Sequence, residues 1–221
     1  MSEGREVRVI WDWTVSLVHW LAVALVAGLW WTSEQNMMDW HQRCGITLMG
    51  LLVFRVYWGF FGTKTARFST FVKGPKAIIA YGRHLFQRPY VPVVGHSPLG
   101  ALSVVAMLVA LVAQICFGLF AVDVDGMESG PLARHVSFDL GRTFADLHEL
   151  NFNILLGLIG LHIAAIAAYF ILLRTNLVTA MVTGRRASRN EPAEVEMTPP
   201  SLLKVIIGIV ISAGSVWLIY I

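Results

Sequence analysis

The chain has 221 residues, of which 56% are hydrophobic and only 14% charged, with a mean hydropathy of +0.65. That composition lies outside the range of soluble domains and inside that of polytopic membrane proteins. The formal net charge of +3 calls for no nucleic acid, because the basic residues sort into the loops between apolar stretches.

Five stretches, 10–32, 41–61, 98–121, 146–173 and 202–220, are long enough to cross a hydrocarbon core of about 30 Å. The first is too long for a signal-peptide core and no small-x-small cleavage site follows it, so it is expected to stay in the membrane as an anchor. The loop 62–97 carries Lys64, Arg67, Lys73, Lys76, Arg83 and Arg88 and no acid. Arg174, Arg185, Arg186 and Arg189 follow the fourth stretch. The positive-inside rule makes both segments cytoplasmic, with the N-terminus inside and the C-terminus outside. Within the first loop, Ile78, Ile79, Leu85 and Phe86 share one face and Lys76 and Arg83 another, which predicts a helix lying at the inner interface. Residues 185–201 are polar and Pro-rich and read as a flexible linker to the fifth span.

Four of the seven histidines fall within or at the ends of these spans: His19, His41, His148 and His162. His148 and His162 are fourteen residues apart, close to four helical turns, so they share a face and stand about 21 Å apart along the axis. Flanking charges give the depths. His19 lies eleven residues from Arg8, and His162 twelve from Arg174, both measured from inner ends. His41 is two residues from Asp39, and His148 two from Asp146, both at outer ends. Depth therefore pairs His19 with His162 and His41 with His148; the crossed pairing mismatches levels by about 20 Å.

Ionisable groups inside a bilayer are costly and tend to be functional. Two histidines per level are too few for a structural zinc site, which takes four protein ligands. Haem supplies four equatorial nitrogens of its own and asks for one or two axial ligands, so two bis-histidine haems account for all four residues. No C-x-x-C-H occurs, so attachment is expected to be non-covalent and the haems b-type. Gly45 follows His41 by one turn, and Gly157 and Gly160 lie between the histidines of the fourth span, which agrees with close approach of a flat macrocycle, although membrane helix packing selects glycine just as readily. Arg55, fourteen residues beyond His41, shares that face at the inner level and is a candidate partner for a haem propionate. His84, His96 and His135 fall in loops or at interfaces and are read as lying outside the site. Cys44 and Cys116 both fall near outer ends and are read as small packing thiols rather than a disulfide.

The ordered segments "WDWTVSLVHW" (11–20), "WHQRCG" (40–45), "FRVYWGFFGTKTARFSTFVKGPKA" (54–77), "GHSPLGA" (95–101) and "LHELNFNILLGLIGLH" (147–162) resemble the bacterial cytochrome b561 family, which includes the b-type cytochrome subunits of nickel–iron hydrogenases. The resemblance covers about residues 9–184. It implies an all-α integral membrane bundle whose four-helix core holds two haems b and exchanges electrons with quinone, with His19, His41, His148 and His162 as ligands. The family commonly has an arginine three residues before the first histidine, where this chain has Ser16. The expected organisation is a di-haem cytochrome b domain over 1–184, the polar linker 185–201, and an additional transmembrane helix over 202–221 for docking or assembly.

The leading functional expectation is a multi-pass protein of the bacterial inner membrane, embedded in lipid. It would carry electrons between quinone and a periplasmic cytochrome c or hydrogenase-like subunit. The alternative is a superoxide oxidase that reduces quinone. No catalytic triad, nucleotide loop or further metal cage is evident.

Overall fold

The computed structural model describes residues 6–85, 93, 95–188 and 199–221. Phe86, Arg88, Arg189 and most of the expected linker lie outside the described residues, as does the side chain of His84. Three of the four membrane helices start where the sequence supplies a side-chain cap, and the helix that follows Met37 starts without one. Asp12 caps α1 (Trp13–Glu34) by accepting from the Val15 amide. Ser97, followed by Pro98 in the first turn, caps α5 (Pro98–Phe120), and Ser137 caps α6 (Phe138–Ile171). These side chains satisfy amide donors that the first helical turn leaves open. With α2 (Met38–Phe61), these are four helices long and apolar enough to cross a membrane. Between α2 and α5 lie the short α3 (Phe68–Phe71) and α4 (Pro75–His84), the latter at the position of the expected interfacial helix.

The chain forms two antiparallel hairpins, α1 with α2 and α5 with α6, joined through α2 against α5. One end of the bundle holds the α1–α2 turn and the loop 121–137, and is acidic. The other holds the described residues of the 62–97 segment and both strands of a small sheet, and is basic. Helix α6 begins eight residues before the expected span. Its first turns lie on the 121–136 loop, where the Val122 amide donates to the Gly141 carbonyl at 3.1 Å. A Cβ at Gly141 would stand 2.4 Å from Val122, so this approach needs glycine.

At the basic end, β1 (Glu6–Val9) pairs antiparallel with β2 (Arg185–Ser188), Val9 opposite Arg185. Thus the first four residues of the expected linker form a strand. Helix α7 (Leu177–Thr183) ends at Gly184, whose φ of +71° is favourable for glycine. The Gly184 carbonyl accepts from the Ile10 and Trp11 amides at 2.7 and 3.1 Å, closing a clasp around the start of α1. A buried hydrophobic cluster sits there, made of Ile10, Trp11, Val15, Val18, Phe54, Trp58, Ala66, Ala180 and Val205. At the position of the expected fifth span lies α8 (Leu202–Trp217), an apolar helix of 16 residues, shorter than the four spanning helices and antiparallel against α2. Gly208 admits Phe54 and Tyr57, and Gly50 admits Val216, so small residues set that contact.

Candidate functional site

At the acidic end, His41 on α2 and His148 on α6 face each other with ring centres 6.2 Å apart and planes inclined at 73°. Each ring is aimed by its Nδ1. His41 Nδ1 bonds the Leu29 carbonyl on α1 at 3.0 Å, and His148 Nδ1 bonds the Gln114 carbonyl on α5 at 3.0 Å. A carbonyl can only accept, so both Nδ1 atoms carry the proton and both Nε2 lone pairs are free. Asn151, three residues beyond His148, donates to the Gln114 side chain at 2.6 Å and to the Ala110 carbonyl at 2.9 Å. Gly118 makes room for the second ring: a Cβ there would stand 2.8 Å from His148 Cε1. Four helices thus contribute to one pair of imidazoles.

At the basic end, His19 on α1 and His162 on α6 lie within electrostatic reach of each other. Around them a polar group is assembled by the Asp12 network. The Asp12 carboxylate is buried and accepts from the Val15 amide, the Thr14 and Thr63 hydroxyls and Trp58 Nε1. It therefore ties the start of α1 to the end of α2. Arg55 is only 7% exposed and lies over the Phe68 ring at 5.4 Å, yet its Nη1 has no hydrogen-bond partner. Asp12 is within its electrostatic range, but the oxygens of that carboxylate are already taken by four other donors.

His96, read from sequence as a loop residue outside the site, is the main addition. Its ring is held between Trp11 and Phe71, with centroids at 4.4 and 4.5 Å. Burial, reinforced by the charges of Arg55 and His162, pushes its pKa down to about 3, so the imidazole is neutral. Among the described residues, Ser16 Oγ, His19 Nδ1, Arg55 Nη1 and His96 Nδ1 are all buried without a hydrogen-bond partner. His135 is exposed and accepts from Arg134.

Of the small residues expected near a macrocycle, Gly45 has only a Leu29 methyl within 4 Å of a notional Cβ, and Gly157 and Gly160 have nothing. Cys44 and Cys116 are free thiols. Gln114, Gly118 and Asn151 were not singled out from the sequence. Polar residues inside apolar spans are the signal that marks Gln114 and Asn151. Gly118 gives no such signal, because its role depends on a ring from another helix.

The prokaryotic cytochrome b561 family model matches residues 10–184. The chain belongs to that family. Its members are membrane b-type cytochromes, electron-transfer proteins that bind haem b. No curated protein and no solved structure gives a match.

The residues of this b561 chain can be tested for fit to haem directly. With a metal–imidazole bond of about 2 Å and about 1 Å more from nitrogen to ring centre, two imidazoles on opposite sides of one iron have centroids about 6 Å apart. The observed 6.2 Å agrees, and both free Nε2 atoms are of the right kind. At the basic end, unpartnered donors beside a buried guanidinium are what an acidic macrocycle edge satisfies. The side chains at both ends fit the group.

Proposed function

We propose that this cytochrome b561 holds two haems b, the outer one between His41 and His148 and the inner one between His19 and His162. It would transfer electrons between the quinone pool and a periplasmic redox partner. The observation that carries this reading is the His41–His148 pair, whose separation and fixed tautomers suit one metal between two imidazoles. When bound, haem b supplies reversible one-electron chemistry at its iron. The protein's own part is to fix both rings through main-chain carbonyls, exclude bulk water with apolar helices, and set the local charge. Arg55 is the proposed countercharge at the inner level, and Gly45 gives the macrocycle room beside His41.

The distribution of basic residues supports an orientation with the N-terminus in the cytoplasm and the C-terminus in the periplasm. On that orientation, α8 is a fifth membrane helix and the acidic end faces the partner. Glu34, Asp39, Asp123, Asp125, Glu128, Asp139, Asp146 and Glu149 stand there against Arg43, Arg134 and Arg142, eight acids to three bases. All three of those arginines have a partner within the chain, Arg134 donating to His135. Arg142 binds the Val122 carbonyl at 2.8 Å and Asp146 at 3.4 Å, and Arg43 lies over Trp40. The loop tip exposes Val124 and Met127 beside Asp125 and Glu128, an apolar spot with a carboxylate rim. Gln42 joins this loop to α2 by donating to the Ser129 carbonyl, one residue from His41. Such a surface favours a basic cytochrome c or lysine-rich subunit face. It disfavours superoxide, an anion, and so weighs against the superoxide-oxidase reading.

The test is haem content and spectral assignment in purified protein. Two haems per chain are expected, with His41→Ala and His148→Ala losing one α-band component and His19→Ala and His162→Ala losing the other. Loss of the same component in all four variants would overturn the paired arrangement.

A further inference from the structure

Arg55 presents a problem that its surroundings do not solve. A buried guanidinium lacking a close anion is expensive, because desolvation is not repaid by a partner. Its neighbour Asp12 already accepts from four donors. Among the described residues Asp12 is the only carboxylate in its electrostatic range, which leaves room for an anion from a bound group. Two further buried atoms without a partner belong to Ser16 (Oγ), one turn before His19, and to His96 (Nδ1), whose ring lies in electrostatic reach of Arg55.

His96 is suited to this place by immobility. Its ring is gripped by Trp11, itself bound through its amide to the Gly184 carbonyl, and by Phe71 of α3. It cannot swing away to find another acceptor without breaking that packing. It also lies within electrostatic reach of both Arg55 and His162. A carboxylate offers about four lone-pair positions, enough for Arg55, His96 and Ser16 together.

We propose that His96 is a positioning residue for the inner haem: with Arg55 it holds a propionate carboxylate, Arg55 supplying the countercharge and His96 Nδ1–H a neutral hydrogen bond. Ser16 completes the set from α1. The inference rests on the haem reading above. A hydrogen bond to the carboxylate draws off negative charge near the iron and so favours the ferrous state. Replacing the donor with an apolar group of similar size favours the ferric state.

The experiment is a potentiometric titration of wild type, His96→Leu, His96→Gln and Arg55→Gln holoprotein in nanodiscs, following both α-band components. His96→Leu should shift the ferric-to-ferrous equilibrium of one component about tenfold toward ferric, which is about 59 mV for one electron. That component should be the one lost in His162→Ala, and the other should not move. His96→Gln, which keeps an N–H donor, should restore at least half of the shift, and it stands in if the leucine variant assembles poorly. The apoprotein is then reconstituted with the dimethyl ester of haem, whose carboxylates are masked. With the ester, wild type and His96→Leu should titrate together. A shift that persists with the ester, falls on the His41–His148 component, or is absent with ordinary haem overturns the proposal. Wild type without Soret absorption would instead sink the haem reading beneath it.

Discussion

Gly118 offers a quantitative test of the outer pair, because two effects of one methyl group act in opposite directions. In Gly118→Ala the new Cβ would stand 2.8 Å from His148 Cε1 and 3.1 Å from its Nδ1. Non-bonded carbon contacts become favourable near about 3.5 Å, so the ring must retreat by roughly half an ångström or more. Gly118 and Gln114 lie one turn apart on α5, so retreat from one is also retreat from the other. The Nδ1···Gln114 carbonyl bond, 3.0 Å long, would then pass the limit of a useful hydrogen bond. Losing the partner that orients a ligating histidine typically costs about 10–100-fold in metal affinity. Against this, alanine favours the helix over glycine by about 1 kcal/mol. The variant should therefore unfold no more easily than wild type while holding one haem more weakly.

The assay is haem titration of apoprotein in nanodiscs, read by the reduced-minus-oxidised α-band, with thermal unfolding run in parallel. Gly118→Ala should lose about 10–100-fold in affinity for the component that His148→Ala removes, with the other component unchanged. Gly214→Ala on α8, where a Cβ meets nothing within 4 Å, should be spectrally silent. Equal affinity in Gly118→Ala and wild type would refute the reasoning, as would loss of the other component.

Asp12→Ala strips four donors of their acceptor and should lower stability by roughly 3 kcal/mol, seen as a clear fall in Tm; an unchanged Tm would show that Asp12 does not hold the start of α1 to the end of α2. A tag after Ile221 should be reachable from the periplasm of intact cells and a label at Lys76 should not, and reversed accessibility would turn the proposed electron path around. Protein reduced by a quinol analogue should be reoxidised by a cationic cytochrome c at a rate that falls steeply with salt, as screening shortens the field. Salt-insensitive reoxidation, with near-diffusion-limited haem reduction by superoxide when quinone is present, would favour the oxidase.

The membrane helices were legible because hydropathy and caps are local properties. Asp12 and Ser97 start α1 and α5 within a few residues of an apolar run. The exception, α6, begins early because Phe138–Phe144 belongs to a helix resting on a loop, and hydropathy alone ends where lipid ends. The facing of His41 and His148 followed from depth matching, which needs only helical rise and flanking charge. What was not legible depends on contacts distant in sequence. Strand β2 has the sequence Arg-Arg-Ala-Ser, which carries no apolar alternation, and its pairing with β1 is made by main-chain atoms. His96 belongs to a stretch that reads as loop, and its burial is created by Trp11 and Phe71, some 85 and 25 residues earlier in the chain.

The two ends treat their imidazoles differently, and the difference follows from where the rigid packing lies. At the acidic end, His41 and His148 are satisfied at Nδ1 by carbonyls of α1 and α5, so the polypeptide itself aims both rings. At the basic end, the clasp of β1 and β2, the Asp12 network and the Trp58 core fix the backbone, yet Ser16, His19, Arg55 and His96 each keep an unpartnered atom. A loosely packed region would let such groups turn toward one another or toward water, since leaving them unpaired costs about 1–3 kcal/mol each. Here the surrounding packing denies that relaxation. The buried hydrophobic cluster of the molecule thus lies beside four unpartnered polar groups. That combination makes physical sense where a bound anion completes the structure: the stability of the clasp and core offsets the cost of holding donors ready, and the ligand's carboxylate relieves it.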